Sequence, residues 1–204
     1  MMRAREHLIT GPSVEPVTLA EVRDQLNHPH TTEEDLLIRL IRAARERGER
    51  ESQRAWLTQT WAHQFVRWEH PIELNKPPLQ YAVTSPPTLV ITYVDLDGVT
   101  HVVDESVYIV EAPRGDKPQK GRISLAYNQT WPAVRPQANA ITIQAVHGYG
   151  DDPADVPAIL RQALLEDIAF LYETRSAVLV GAGVQNAAEV PMGARDVYRS
   201  FRSW

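Results

Sequence analysis

The hydrophobic period of this chain changes twice, and that limits its architecture more than any single motif does. Up to Trp56 apolar residues recur at helical spacing; from about Thr58 to Tyr149 they alternate in short runs; from Val156 the helical spacing returns. Most of the fifteen prolines fall between Pro71 and Pro157, in and just after the alternating block. Strands that arrive in one unbroken block, with helices before and after, point to a helical domain interrupted by a β insertion.

The first helical signal is "EPVTLAEVRDQLNHP". Thr18 with Glu21 three residues on makes a capping box, and Leu19, Val22 and Leu26 share a face until Pro29 stops the helix. The longest signal is "HTTEEDLLIRLIRAARERGERESQRAW". Thr31 or Thr32 is its expected cap, and Glu33, Glu34 and Asp35 complement the dipole. Leu36, Leu37, Leu40, Ile41 and Ala44 form its stripe, and Gly48 lies on that stripe one turn further. A glycine there means a very close neighbour or a bend.

The runs "TWAHQFVRW", "LVITYVDLDGVTHVV", "SVYIVEA", "GRISLAY" and "NAITIQAVHGYG" are rich in β-branched and aromatic residues and are parted by turn residues. Asp97-Gly98 predicts a hairpin turn within the second. Five to seven strands are expected, as a sandwich or barrel-like domain. Val156, Ile159, Leu160, Ala163, Leu164, Ile168, Leu171 and Tyr172 then predict a long helix, and Val178 to Pro191 a flexible loop. "MGARDVYRSFRSW" predicts a last short helix. The expected fold class is α+β, a small bundle of about four helices from 1–57 and 150–204 with a β insertion at 58–149.

The net charge is −5, so the chain has no global attraction for nucleic acid. Without cysteine it has no disulfide, thiolate metal site or cysteine nucleophile. There is no apolar run of the ~18 residues a membrane helix needs, and "MMRAREHLITGPSVEP" has no apolar core of a secretory signal. The expected setting is therefore a cytoplasm, with no membrane partner.

"HGYGDDPADVPAIL" carries the densest acidic cluster, Asp151, Asp152 and Asp155. A hydrolase or metal site can be built from such carboxylates. The alternating spacing of a calcium loop is missing, and no His or Lys follows at a useful offset. The structural reading uses every residue: Gly148 and Gly150 release the strand, Asp152-Pro153 starts a turn, and Asp155 caps the next helix. "DLDG" (95–98) reads as a turn, "HPH" (28–30) as a polar loop, "RGD" (114–116) as a solvated hairpin loop and "GAG" (181–183) as flexible chain. No P-loop, dinucleotide fingerprint or G-x-S-x-G elbow is present. No enzyme, cofactor or metal is expected.

Two surfaces remain. Arg39, Arg42, Arg45, Arg47, Arg50 and Arg54 run along the long helix, partly offset by Glu46, Glu49 and Glu51. They form either a solvated ion-paired face or an interface with acids or phosphates. "RDVYRSFRSW" interleaves aromatics with arginines. It is either an interface anchor or a helix folded onto its own core, and different faces can do both.

In this order the elements resemble the phage head–tail connector (head-completion adaptor) family of long-tailed bacteriophages and gene transfer agents. The resemblance covers nearly the whole chain: "VTLAEVRDQL", "EEDLLIRLIRAARERGERESQRAWLTQTW", "PPTLVITYVDLDGVTHVV", "YIVEA" with "GRISLAYNQTWP", and "NAITIQAVHGYGDDPADVPAILRQALLEDIAFLYETR" with the aromatic-basic C-terminus. It implies a structural virion protein at the head–tail interface, present in the host cytoplasm during assembly. Copies would form a ring, a dodecamer on the portal, that extends the DNA channel and docks the stopper or tail-completion protein. DNA would pass without sequence-specific binding. The resemblance makes Arg195, Tyr198, Arg199, Phe201, Arg202 and Trp204 portal-facing candidates. Opposite charge makes Arg42, Arg45 and Arg50 candidates to meet Glu166, Asp167 and Glu173 of a neighbour. The alternative is a monomeric β-sandwich module that binds a carbohydrate or protein through its Trp and Tyr residues.

Overall fold

The computed structural model describes residues 5–27, 33–82, 87–177 and 192–202. It is an α+β fold in two compact units, one of Met1–Pro12 with Thr58–Tyr149 and one of Ser13–Leu57 with Gly150–Trp204.

In the second unit, Thr18 opens α1 (Leu19–Gln25) with the expected capping box, its side chain accepting from the Glu21 N–H while Glu21 reaches back. The helix ends before Pro29, and Asn27 turns left-handed with φ of 49°. α2 spans Glu34–Ser52 with Glu33 at its N-cap; Thr31 and Thr32 lie outside the described residues. Its buried stripe is Leu37, Ile41, Ala44, Arg45, Gly48 and Ser52. The stripe packs with Val17, Val22, Trp56, Leu160, Leu164 and Ile168 in one core, to which α3 (Ala158–Ala177) and α4 (Met192–Ser200) contribute. Each large apolar side chain buried this way stabilises the unit by about 1.5–3 kcal/mol. Leu57 and Gly150 form a parallel bridge, so the points where the chain leaves and rejoins the helices lie side by side.

The other unit holds nine strands among the described residues. They are β1 (Arg5–Thr10), β2 (Gln59–Phe65), β3 (Ile72–Leu74), β4 (Leu79–Gln80), β5 (Leu89–Val94), β6 (Thr100–Val102), β7 (Tyr108–Glu111), β8 (Gly121–Leu125) and β9 (Ile141–His147). One sheet has the order β1-β2-β9-β5-β6, with β4 also paired to β9; the other is β3-β8-β7. All pairs are antiparallel. Alternation along β9 buries Ile141, Ile143, Ala145 and His147. With Ile91, Ile72, Leu74 and Ile123 they fill a core shared by both sheets, a sandwich.

Three strands go beyond the five expected runs: β1, β3 and β4. The sequence reading placed all of 1–57 with the helices, whereas Arg5–Thr10 pairs with β2 and belongs to the β unit. An edge strand exposed along most of its length shows no clean alternation, so "REHLIT" carries no visible period.

Candidate assembly surfaces

The last helix has two faces. Ala194, Tyr198 and Phe201 are buried in the core of their own unit, and the Tyr198 ring stands 5.4 Å from that of Trp56. Burial pushes the Tyr198 hydroxyl well above its ordinary pKa. Tyr198 and Phe201 are therefore anchors of the helix to its own bundle, not exposed contacts. Their spacing with Ala194, four then three residues, is the signal of a buried helical stripe. The opposite face exposes Arg195 and Arg199, which both approach Glu51, at 3.9 and 3.5 Å. Arg202 is half-buried and Trp204 lies outside the described residues.

The seat of this helix is built by the end of α2. Trp56 is fully buried; its indole N–H donates to Ser52 Oγ at 3.1 Å, and its backbone N–H donates to Glu49 Oε1 at 2.9 Å. The Arg54 guanidinium, buried, donates to the Phe201 carbonyl just past the C-terminus of α4. A cation there satisfies an orphan carbonyl and complements the helix dipole. Arg54 had read only as one of a basic run; nothing local distinguishes it.

The long helix divides its arginines in the same way. Arg45 is buried between Glu15 and Glu49, at 2.7 and 2.8 Å. Burial alone would lower its pKa, yet Glu49 and Glu15 raise it, so the cation is locked in place. Arg47 pairs through two nitrogens with Asp167, which is fully buried on α3. Arg45 and Asp167 are thus consumed inside the subunit. Both fall on buried helical stripes, Arg45 after Ile41 and Ala44, Asp167 after Leu160 and Leu164, and that spacing was the available signal. Arg42, Arg50, Glu166 and Glu173 are exposed. Arg42 bonds Glu46 at 3.1 Å along its own helix, and Gln162 reaches Glu166 at 3.4 Å.

The acidic cluster is a turn. Asp152 caps the short 3₁₀ helix Pro153–Asp155 by accepting from the Ala154 N–H at 2.8 Å, and Asp155 accepts from the Asp152 N–H at 3.0 Å. Asp152 is the cap here, with Asp155 its reciprocal partner. A β-carbon on Gly150 would collide with the Asp155 carboxylate at 2.0 Å. Among the described residues no group of three or more acids and histidines is placed to hold a metal. Asp95 closes the β5–β6 hairpin, accepting from the Val99 N–H at 2.8 Å and facing His101 at 2.7 Å. Gly98 alone takes the left-handed conformation there. Arg114 to Asp116 lies in the exposed β7–β8 loop. His28, Pro29 and His30 of "HPH" and the "GAG" triplet lie outside the described residues.

The aromatic residues of the sandwich are largely occupied with each other. Trp68 stacks on Trp131 with centroids 4.4 Å apart, Tyr93 tilts against Trp68, and all three pack on the core. Lys76 lies over the Trp61 ring. Below them His63 and His147, both fully buried, face each other with Nε2 atoms 3.0 Å apart.

No protein-family model matches the chain, and no curated protein matches it. Solved structures do. A chain from the virion of a native gene transfer agent particle has a TM-score of 0.74 at 20% identity, over 98% of this chain and 95% of that one. A chain from the neck of an empty gene transfer agent particle, computed with C6 symmetry, scores 0.73 at 20% identity over 98% and 96%. One from the neck of the native particle, computed with C12 symmetry, scores 0.70 at 20% identity over 100% and 96%. The chain has the fold of these chains along essentially its whole length.

Proposed function

We propose that this chain is a non-enzymatic structural protein of a virion-like particle, the head–tail adaptor. In this reading its copies form a ring, twelve on the portal, that lengthens the DNA channel and receives the stopper or tail. The observation that carries the reading is the end-to-end likeness to neck chains of gene transfer agent particles, one of them solved with C12 symmetry. The likeness covers both the helical unit and the β sandwich. The chemistry supports it too. The acids of the Asp151–Asp155 stretch serve the backbone turn, and a net charge of −5 suits a channel that DNA slides through without counterion-release grip.

The portal-facing surface in this reading is the exposed side of α4, Arg195 and Arg199, with Trp204 and half-buried Arg202 as further candidates; Tyr198 and Phe201 hold the helix from behind. Electron microscopy of the protein mixed with the portal ring encoded beside it tests the proposal. A second ring under the portal, lost in Arg195→Glu/Arg199→Glu while the melting curve is unchanged, is the expected result. A bare portal beside monomeric protein removes the adaptor reading.

A further inference from the structure

The larger sheet ends in two strands that each lack a partner on one side among the described residues, β1 and β6. Five of the six residues of β1 are exposed, and all three of β6 are. Both edges are only partly blunted: β6 has three residues, and β1 carries Arg5, Glu6 and a register irregularity between Leu8 and Thr10, but neither contains a lysine or a proline. Both also expose apolar side chains among their polar ones. Leu8 and Ile9 of β1 are each 46% exposed, Val102 of β6 is 66% exposed, and Leu96 and Val99 of its hairpin are also exposed. An open strand edge with exposed apolar side chains is a template for another chain.

Strand direction narrows the occupant. The path β1-β2-β9-β5-β6 is antiparallel at each step, so its first and fifth strands run the same way. Copies related by a small rotation about a ring axis keep nearly the same orientation. Each then offers its β6 to the next copy's β1 as a parallel neighbour. A ring contact is heterologous and needs two different, complementary faces on one chain, which these edges are. Charge agrees. β1 starts at exposed Arg5, and the hairpin tip leading into β6 carries exposed Asp97. Parallel alignment brings these starting ends together.

We infer that neighbouring copies join edge to edge, β6 of one adding in parallel to β1 of the next, so that the sheets run on from subunit to subunit. This rests on the ring reading and specifies one contact within it. With three residues in β6 the ladder is short, so it supplements contacts between the helices.

The chain has no cysteine, which makes the test clean. Leu8→Cys, Val102→Cys and the double variant are treated with a thiol-to-thiol linker long enough to span a shift of register, at concentrations where wild type assembles and again with the portal present. The double variant should give a ladder well beyond dimer, the two single variants mixed should stop at dimer, and each alone should give none. Dimers from Leu8→Cys or Val102→Cys alone would mean a two-fold contact and overturn the inference, as would the absence of any ladder. Rings seen by electron microscopy without cross-links leave the ring reading standing on other contacts. A ladder that never closes keeps the edge contact and removes the ring.

Discussion

A β-carbon added to Gly48 would stand 2.3 Å from the Cη2 atom of Trp56 and 2.6 Å from its Cζ2. The glycine on the apolar stripe of α2 leaves room for the six-membered ring of the indole, which lies where a β-carbon would stand. Trp56 is fully buried, held by Ser52 and Glu49, and packed on Tyr198, so the ring has nowhere to go. Gly48→Ala gains up to about 1 kcal/mol of helix propensity but forces overpacking that costs about 1–3 kcal/mol. A net loss of about 1 kcal/mol or more in urea denaturation is expected. A stabilised variant would show that the indole moves freely.

The Arg47–Asp167 pair makes an asymmetric prediction. Asp167 is fully buried, whereas Arg47 keeps 29% of its side chain in water. Removing the arginine strands a buried carboxylate; removing the carboxylate leaves a cation that can turn to solvent. Arg47→Ala should therefore cost about 3 kcal/mol and Asp167→Ala less, roughly 1–2 kcal/mol. Equal losses, or the reverse order, in thermal or urea unfolding would refute this account of the pair.

His147 makes the sandwich acid-sensitive. Its pKa is pushed down from 6.5 to about 3, by burial first and then by the facing His63 ring, against the opposing pull of the Lys76 backbone and Glu6. The unfolded chain takes up a proton near pH 6.5 that the folded chain refuses until about pH 3. Stability is therefore lost as pH falls through that window, by roughly 2 kcal/mol at pH 5. Glu6, whose carboxyl is held low by His63 and Asn75 despite its burial, adds to the loss only at more acid pH. In His147→Gln the drop in unfolding free energy between pH 7 and pH 5 should shrink by about that amount. An unchanged drop would assign the acid sensitivity elsewhere.

Local chemistry was legible in the sequence and distant pairing was not. The Thr18–Glu21 box, the Asp97-Gly98 hairpin and the order of helices and strands each depend on residues a few positions apart. The acidic stretch before α3 read as a turn because its carboxylates had backbone N–H groups within reach in sequence. Arg47 and Asp167 are 120 positions apart, and Arg54 and Phe201 are 147 apart. No period or spacing within a helix announces such partners. β1 was missed for a related reason: an edge strand open to solvent has no buried face to impress a pattern on its residues. Tyr198, Phe201 and Arg45 are different. Their stripe positions did indicate burial, and their side-chain types pulled the reading toward an interface instead.

That division decides which charges can act between subunits of the proposed ring. Arg45 and Asp167 are committed inside the bundle, so reversing either tests folding: Arg45→Glu would set three carboxylates together around a buried site with Glu15 and Glu49, and a chain that fails to fold is the expected outcome. Arg42 and Arg50 on α2, and Glu166 and Glu173 on α3, are exposed, with Arg42 and Glu166 held only by the neighbours Glu46 and Gln162 on their own helices. Exposed pairs contribute only about 0.2–1 kcal/mol each, so Arg42→Glu/Arg50→Glu should weaken each contact of the proposed ring by about tenfold, while the lost Arg42–Glu46 pair lowers the melting temperature only slightly. If the proposed ring uses these pairs, it should also loosen as salt is raised, because they are screened. Adding Glu166→Arg/Glu173→Arg to the same chain restores opposite charge across the contact and should restore assembly in sedimentation velocity. Assembly untouched by the first double change would show that the helices meet through other residues, and rescue would tie these four to one another.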